Sequence, residues 1–339
     1  MATAAPGITV CIANYNGDQL VLDCLASVFS QEGDFKLEVL VHDDASTDDS
    51  MARIRDAFPA ARIIESQRNA GFCIANNRMV EAAEGPFVLL LNNDAVLRPG
   101  SLQALLQAAG NHGPDCVLGL PQHTLHGGML VDRGYRNDPF LNPIPILDAG
   151  EHEAGIVTGA CLWTTKRVWS EVGGLPDFFE SLAEDIHFCF TARLLAYPVV
   201  VLDEPGFDHW IGRHLGGGKL VEDRMTTSVR RRALSERNKT FSMLCCYPWP
   251  ALALLLPLHA AALACEALFL TLGGTGVAKV SRIYGPIPLE IWRNRRNLAA
   301  LRSRLMQRRR ASFARLFAFT RWFPHKLSML IRHGRPNVE

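Results

Sequence analysis

Five short apolar, β-branched runs alternate with four helical segments through the first 120 residues, and this order leaves few folds open. The runs are Ile8–Ala13, Leu37–His42, Ala61–Glu65, Phe87–Leu91 and Cys116–Leu120. Between them, Gln19–Ser30, Asp48–Phe58, Ile74–Glu84 and Ser101–Gly110 carry apolar side chains at helical spacing. A strand apolar at consecutive positions is covered on both faces, and helices crossing between parallel neighbours supply the cover. The order predicts an α/β sandwich around a largely parallel sheet. In such sheets ligands bind beyond the carboxyl ends of the strands, where strand order switches.

The strand ends share one chemistry. Ile8–Ala13 leads into Asn14-Tyr15-Asn16-Gly17, and Leu37–Val41 into His42-Asp43-Asp44. Ala61–Glu65 is followed, two residues on, by Arg68-Asn69-Ala70-Gly71. Val88–Leu91 runs straight into Asn92-Asn93-Asp94. One Asn or Asp is an ordinary turn or helix-capping residue, and Asp48 and Asp49 are read that way. Four such ends on one edge of a sheet point instead to a ligand site. Residues 121–153, rich in Gly, Pro, His and Asn, read as long loops with short strands. A second block follows: a strand in IVTGACLWTT, a helix ending at Gly173-Gly174, a mostly helical 177–197, a strand in VVVLD, and a loop from Glu204.

Charge divides the chain more sharply than its net value of +1 implies. Residues 277–339 hold 15 Lys+Arg against 2 Asp+Glu, and residues 1–276 hold 20 against 32. An acidic body and a basic tail have different partners. Between them, Ala251–Leu272 has His259 and Glu266 as its strongly polar breaks, and its length suits a membrane span of about 20 residues. Pro257 and Glu266 weaken that reading. Basic flanks on both sides oppose a single crossing, because both belong on the cytoplasmic face. A re-entrant or in-plane helix, or a short hairpin, meets both conditions. The tail interleaves Arg with Leu, Phe, Trp and Met, as a helix lying in an anionic membrane surface does. Packing on the domain, or RNA binding, would use the same pattern. Nine cysteines without metal-type spacing read as reduced, packed thiols of a cytosolic protein. The N-terminus lacks the charge and apolar pattern of a signal peptide.

Several short stretches together resemble family 2 glycosyltransferases. They are NYNG at 14–17, DDASTDDS at 43–50, NAGFCIANN at 69–77, LLLNNDAVLRPGSL at 89–102, TGACLW at 158–163, GGLPDFF at 173–179 with Glu184-Asp185, and DHWIGRH at 208–214. Residues 8 to about 215 are similar to the inverting GT-A type, and closest in pattern to bacterial rhamnosyltransferase-like enzymes of cell-surface polysaccharide assembly. The resemblance implies a Rossmann-like catalytic domain over 1–240, its nucleotide-sugar half about 1–120 and its acceptor half about 121–240. It leaves 241–339 as a helical, membrane-associating extension with an apolar segment at 251–272 and a basic amphipathic tail at 277–335.

Transfer from a nucleotide-diphosphate sugar requires that the nucleotide be held, the leaving diphosphate neutralised and the acceptor hydroxyl deprotonated. The resemblance puts Asn14 and Asn16 in the nucleotide pocket and gives Asp43 or Asp44 the base or ribose, whose donors suit a carboxylate. Asn69 and Asn77 become further nucleotide or sugar contacts, and Gly71 permits close backbone approach. Asn93 and Asp94 stand where the family has its Asp-x-Asp motif, here Asn92-Asn93-Asp94 with one carboxylate left. Asp94 and His209 are the implied ligands of a divalent cation, Mn²⁺ or Mg²⁺, with Mn²⁺ better suited to an imidazole. Asp185 is the implied general base, with Glu184 as the fallback and His187 left without a role. Adjacent helical residues point about 100° apart, so one of the two carboxylates faces the acceptor. The implied partners are a nucleotide-diphosphate sugar, a glycan or lipid-linked acceptor and the inner face of the cytoplasmic membrane, with no nucleic acid. The implied location is cytoplasmic, with peripheral or re-entrant membrane association. A dinucleotide-dependent oxidoreductase is opposed by the first turn, NYNGDQ, which lacks G-x-G-x-x-G. A non-catalytic membrane-surface scaffold that keeps the fold remains the alternative.

Overall fold

The computed structural model describes residues 7–125, 128–210, 217–221 and 224–339. Residues 211–214 of the DHWIGRH motif, residues 126–127 of the loop region and residues 1–6 of the N-terminal stretch lie outside the described residues. By internal contacts the chain divides into two units. The first comprises Met1–Tyr135, Pro145–Ser181 and Tyr197–Trp210; the second comprises Arg136–Ile144, Leu182–Ala196 and Ile211–Glu339.

The first half of the chain alternates as the sequence predicts: β1 (Gly7–Asn14), α1 (Asp18–Phe29), β2 (Lys36–Asp43), α2 (Ser50–Ala57), β3 (Arg62–Glu65), α3 (Phe72–Ala82), β4 (Phe87–Asn92), β5 (Ala95–Leu97), α4 (Ser101–His112) and β6 (Val117–Gly119). Short strands follow as β7 (Gln122–Thr124), β8 (Leu130–Asp132), β9 (Tyr135–Asn137) and β10 (Pro143–Pro145). Then come β11 (Cys161–Thr165), α5 (Lys166–Val172), a 3₁₀ turn at Asp177–Phe179, α6 (Glu184–Leu194), β12 (Val199–Val201) and β13 (Phe207–His209).

In the first unit a seven-stranded sheet runs β12-β6-β11-β4-β1-β2-β3. Every neighbouring pair is parallel except those of β11, which lies antiparallel to both β4 and β6. Val88 to Leu91 on β4 are at most 2% exposed. That accounts for a strand without polar alternation, since both its faces are covered. Between β1 and β4 the chain leaves the sheet in opposite directions, β1 towards β2 and β4 towards β11, which places the switch point there. A second sheet, β5-β13-β7-β8, joins β13 antiparallel to β5 and parallel to β7. Residues 207–209 read as loop in the sequence. They form a strand because β5 and β7 offer it partners on both sides, a tertiary choice that three residues do not encode.

The second unit holds α6 and, further along the chain, β14 (Gly217–Val221), β15 (Arg224–Thr227), α7 (Val229–Cys246), α8 (Trp249–Leu272), α9 (Val277–Tyr284), α10 (Pro286–Arg293), α11 (Arg295–Arg308), α12 (Phe313–Leu316), α13 (His325–His333) and β16 (Asn337–Val338). Ser228 starts α7 by accepting from the Arg231 N–H at 3.1 Å. Arg302 of α11 ends it by donating to the carbonyls of Leu244 and Tyr247 at 2.7 and 2.8 Å, a cation at a helix C-terminus. The apolar segment is one continuous helix through Pro257, not a hairpin. Among the described residues it is the helix long and apolar enough to cross a membrane by length and composition. The basic tail breaks into α9–α13. Val280, Ile283, Ile287, Leu298 and Leu305 are buried, and α9 and α11 pack on α7. Part of its apolar stripe therefore serves the protein's own core. All nine cysteines are free, and eight are buried.

Candidate active site

At the switch point the end of β1 meets the end of β4. Asn93 Nδ2 donates to Asn14 Oδ1 at 3.0 Å, and Asn14 Nδ2 donates to Ser46 Oγ and Ser50 Oγ at 3.2 and 3.1 Å. Asn14 is 1% exposed, so its amide ties three segments together beneath the edge. Gly17 closes the turn after β1. A Cβ there would stand 2.2 Å from Asn14 Oδ1 and 2.9 Å from Val21 Cβ, so the approach admits only glycine. Asn16 Oδ1 accepts from the Thr47 N–H at 2.8 Å.

The two carboxylates after β2 differ. Asp44 accepts from the Ala70 and Gly71 N–H groups at 2.7 and 2.8 Å, one on each oxygen. It thereby fixes the turn before α3, where Gly71 sits at φ 90°, a conformation glycine adopts without strain. Among the described residues Asp43 has only long contacts of 3.3 and 3.4 Å, both to the Ser46 N–H, and so keeps accepting capacity. Asn69 is exposed. Asn77 is fully engaged: Nδ2 donates to the Leu175 carbonyl and to Asp177 at 2.7 and 2.9 Å, and Oδ1 accepts from the Leu175 N–H at 3.0 Å.

Asp94 and His209 come together. His209 Nε2 lies 3.1 Å from Asp94 Oδ1, and both side chains are largely buried. The Trp210 N–H donates to the Asp94 carbonyl at 3.1 Å, and His209 pairs with Ala95 across β5 and β13, so backbone holds the two side chains in register. Asn92 Nδ2 stands 3.4 Å from the same imidazole nitrogen. Among the described residues no third His, Cys, Asp or Glu joins them. A carboxylate and an imidazole fit a divalent cation whose remaining shell comes from phosphate oxygens and water. Arg98, unassigned by the sequence reading, donates to Asp208 at 2.8 Å and stands 3.4 Å from His123 Nε2, which braces β13 against β7.

In the second unit, Glu184 and Asp185 open α6 after Ala183 at φ 60°. Glu184 is 6% exposed, and among the described residues its Oε2 has no hydrogen-bond partner. Burial, with the Asp185 charge beside it, pushes its pKa up to about 8, against the pull of the helix N-terminus. Asp185 is more open, and its Oδ1 accepts from the Ile186 N–H at 2.7 Å. With its pKa pushed up to about 8, Glu184, the fallback of the sequence reading, is a poor proton acceptor at neutral pH. His187 is buried and held down to about 3 by burial and by Arg304, so it stays neutral.

Glu184 also makes stability pH-dependent. Its folded pKa lies above its unfolded value, so its stabilising contribution is full below about pH 4.5 and is lost as pH rises through about 8. We expect Glu184→Gln to gain on the wild type over that window by up to about 1.4 kcal/mol per pH unit. The gain then levels off above pH 8. Urea unfolding of both proteins at pH 5, 6, 7 and 8 measures this, and a pH-independent difference would refute the neutral Glu184.

Residues 9–169 match the model for glycosyl transferase family 2. The succinoglycan biosynthesis protein ExoO of Rhizobium meliloti (strain 1021) is 33% identical over 111 residues, covering 32% of this chain and 31% of that protein. The N-acetylglucosaminyl-diphospho-decaprenol L-rhamnosyltransferase of Mycobacterium tuberculosis is 25% identical over 181 residues, 44% of this chain and 59% of that one. The chain thus spans under a third of one relative's length and about three fifths of the other's. Among solved structures, the mannosyltransferase PcManGT of Pyrobaculum calidifontis, in complex with GDP-Man and Mn²⁺, has a TM-score of 0.51 at 18% identity, covering 90% of this chain and 86% of that one.

Proposed function

We propose, from the match of residues 9–169 to the glycosyl transferase family 2 model, that the protein transfers a sugar, with inversion, from a nucleotide-diphosphate sugar to a hydroxyl of a glycan or lipid-linked glycan in cell-surface polysaccharide assembly. The observation that carries this reading is the meeting of Asp94 and His209 at the carboxyl edge of the sheet, beside the Asn14–Asn93 amide pair at the switch point. Asp43, Asn16 and Asn69 contact the nucleotide or sugar. Asn14, Asp44, Gly71, Asn77 and Asn93 give the pocket its shape through the hydrogen bonds they already make. When bound, a divalent cation held by Asp94 and His209 supplies positive charge against the leaving diphosphate. Asp185 takes the proton of the acceptor hydroxyl, whose oxygen attacks the anomeric carbon as the carbon–diphosphate bond breaks. One displacement gives one inversion.

The second unit works at the cytoplasmic face of the membrane. Along α8, Leu254, Leu258, Leu268 and Leu272 are 49–79% exposed, while His259 turns inward to within 2.9 Å of Thr240 Oγ1. Exposed Trp292, Trp322 and Phe323 on the following segments, with Arg293 and Arg295 exposed nearby in sequence, suit an interface of acyl chains and anionic headgroups.

A panel of UDP-, dTDP- and GDP-sugars with Mn²⁺ or Mg²⁺ tests the reading by thermal shift and by release of nucleoside diphosphate. The true donor at 100 times its Kd adds about 2.7 kcal/mol of stability. If no donor stabilises the protein or is turned over while vesicles bind it, the non-catalytic scaffold replaces the enzyme.

A further inference from the structure

The second unit encloses a cavity of about 770 Å³, which no step of sugar transfer has yet used. It lies among α7, α8, α13 and residues 140–143. Its volume is that of a ligand pocket rather than a packing defect.

The cavity has two chemical ends. One is charged. Lys239 of α7 donates to Glu236 at 3.0 Å and to Asn142 Oδ1 at 2.6 Å. Lys326 of α13 bridges Glu236 and Glu266 at 2.7 Å each, and Glu266 also pairs with Arg232. Glu236 and Lys239 are 3% exposed. Burial works against the charge of Glu236, yet Lys239, Lys326 and Arg232 hold its carboxyl below the ordinary carboxylate range. Its Oε2 is buried and, among the described residues, has no hydrogen-bond partner. Arg231 joins Arg232, Lys239 and Lys326 in the lining, so four cationic side chains and two carboxylates face this cavity. The other end is apolar and open. Leu263, Leu270 and Leu330 form wall, and Phe269 and Leu327 both line the cavity and remain 44% and 46% exposed.

Helix α7 links this cavity to the candidate base. Arg231 lines the cavity, and its charge also acts on Glu184, the neighbour of Asp185. Asn238 of the same helix donates to the Leu182 carbonyl at 2.7 Å, just before α6 begins. A ligand seated against α7 is therefore held on the helix that braces Glu184-Asp185.

We propose that this cavity binds the lipid phosphate of a lipid-linked acceptor, with the anionic phosphate at the Arg231 side, a donor group of the ligand on Glu236, and the hydrocarbon chain leaving past Phe269 and Leu327. A phosphate suits a lining with four cationic side chains, and a single chain suits the apolar, open mouth. The inference rests on the lipid-linked acceptor reading above and gives that acceptor a binding site apart from the donor's.

The test is direct binding of farnesyl phosphate, below its critical micelle concentration, to the full chain by calorimetry, with farnesol and inorganic phosphate as controls. We expect farnesyl phosphate to bind at least tenfold more tightly than either control. Leu263→Trp, which fills the cavity, and Arg231→Gln should each weaken it at least tenfold with unchanged circular dichroism. Asp94→Asn should leave it unchanged, so donor-site failure and lipid-site failure stay distinguishable. Equal binding of inorganic phosphate, or wild-type affinity in both cavity variants, overturns the site. Equally strong displacement by dihexanoyl phosphatidylglycerol assigns it to membrane phospholipid and overturns the acceptor role.

Discussion

Asp185→Asn is expected to cut sugar transfer by about 10² to 10⁴-fold, the usual contribution of a positioned general base. The exchange keeps the side chain's size, and its remaining carbonyl oxygen can still accept from the Ile186 N–H that Asp185 holds at 2.7 Å. What it removes is the basic carboxylate to which the proposed mechanism gives the acceptor proton. Glu184→Gln makes the sharper contrast. Glu184 is mainly uncharged at pH 7, with its pKa near 8, so replacing it by a neutral isostere should leave transfer within a few-fold of wild type. Donor affinity separates chemistry from folding, because the donor residues named above belong to the first unit and Asp185 to the second. The outcome we expect is a fall in kcat for Asp185→Asn at unchanged donor Kd. If Asp185→Asn transfers normally while Glu184→Gln does not, the two roles are exchanged.

The readable part of this protein is the part set by local pattern. Parallel strands covered on both faces must be apolar at consecutive positions, so β1, β2 and β4 show in the sequence within a residue or two of their observed ends. Their polar termini mark the site edge for the same reason. The states of the individual polar side chains were not legible, since each depends on a partner distant in sequence. Asp43 and Asp44 are adjacent and chemically identical, yet Asp44 is held by short hydrogen bonds on both oxygens, from the backbone of residues 70 and 71. Only the resemblance ranks Asp185 before Glu184 in the sequence; the physical difference, burial that raises the Glu184 pKa, comes from the fold. In α8 the strongly polar breaks in an apolar run, His259 and Glu266, face inward to Thr240, Arg232 and Lys326, while Leu254, Leu258, Leu268 and Leu272 face out. A helical wheel shows that these residues differ, but not which side the rest of the unit will cover.

Asp94→Asn should have the second largest effect, and it bears on the least usual part of the site. Where the family pattern offers two carboxylates, this chain offers Asn92-Asn93-Asp94, and one of the amides is already engaged by Asn14. A single carboxylate at 3.1 Å from an imidazole has two physical readings. As an ion pair or hydrogen bond it orients β13 and nothing more, and its loss costs stability alone. As a ligand pair it places a divalent cation's charge against the diphosphate, and its loss removes stabilisation that grows as the leaving group departs. The second reading predicts a fall in transfer of about 10² to 10³-fold, as for loss of a preorganised electrostatic group. It also predicts that EDTA abolishes the wild-type rate and added Mn²⁺ restores it. His209→Ala should weaken Mn²⁺ binding, read by the paramagnetic signal of the bound ion in the presence of nucleoside diphosphate, while Asn92→Ala should change it little. Full activity in EDTA, or Mn²⁺ affinity unchanged in both Asp94→Asn and His209→Ala, would leave Asp94 and His209 as a structural pair. The charge on the diphosphate would then have to be met by cationic side chains alone.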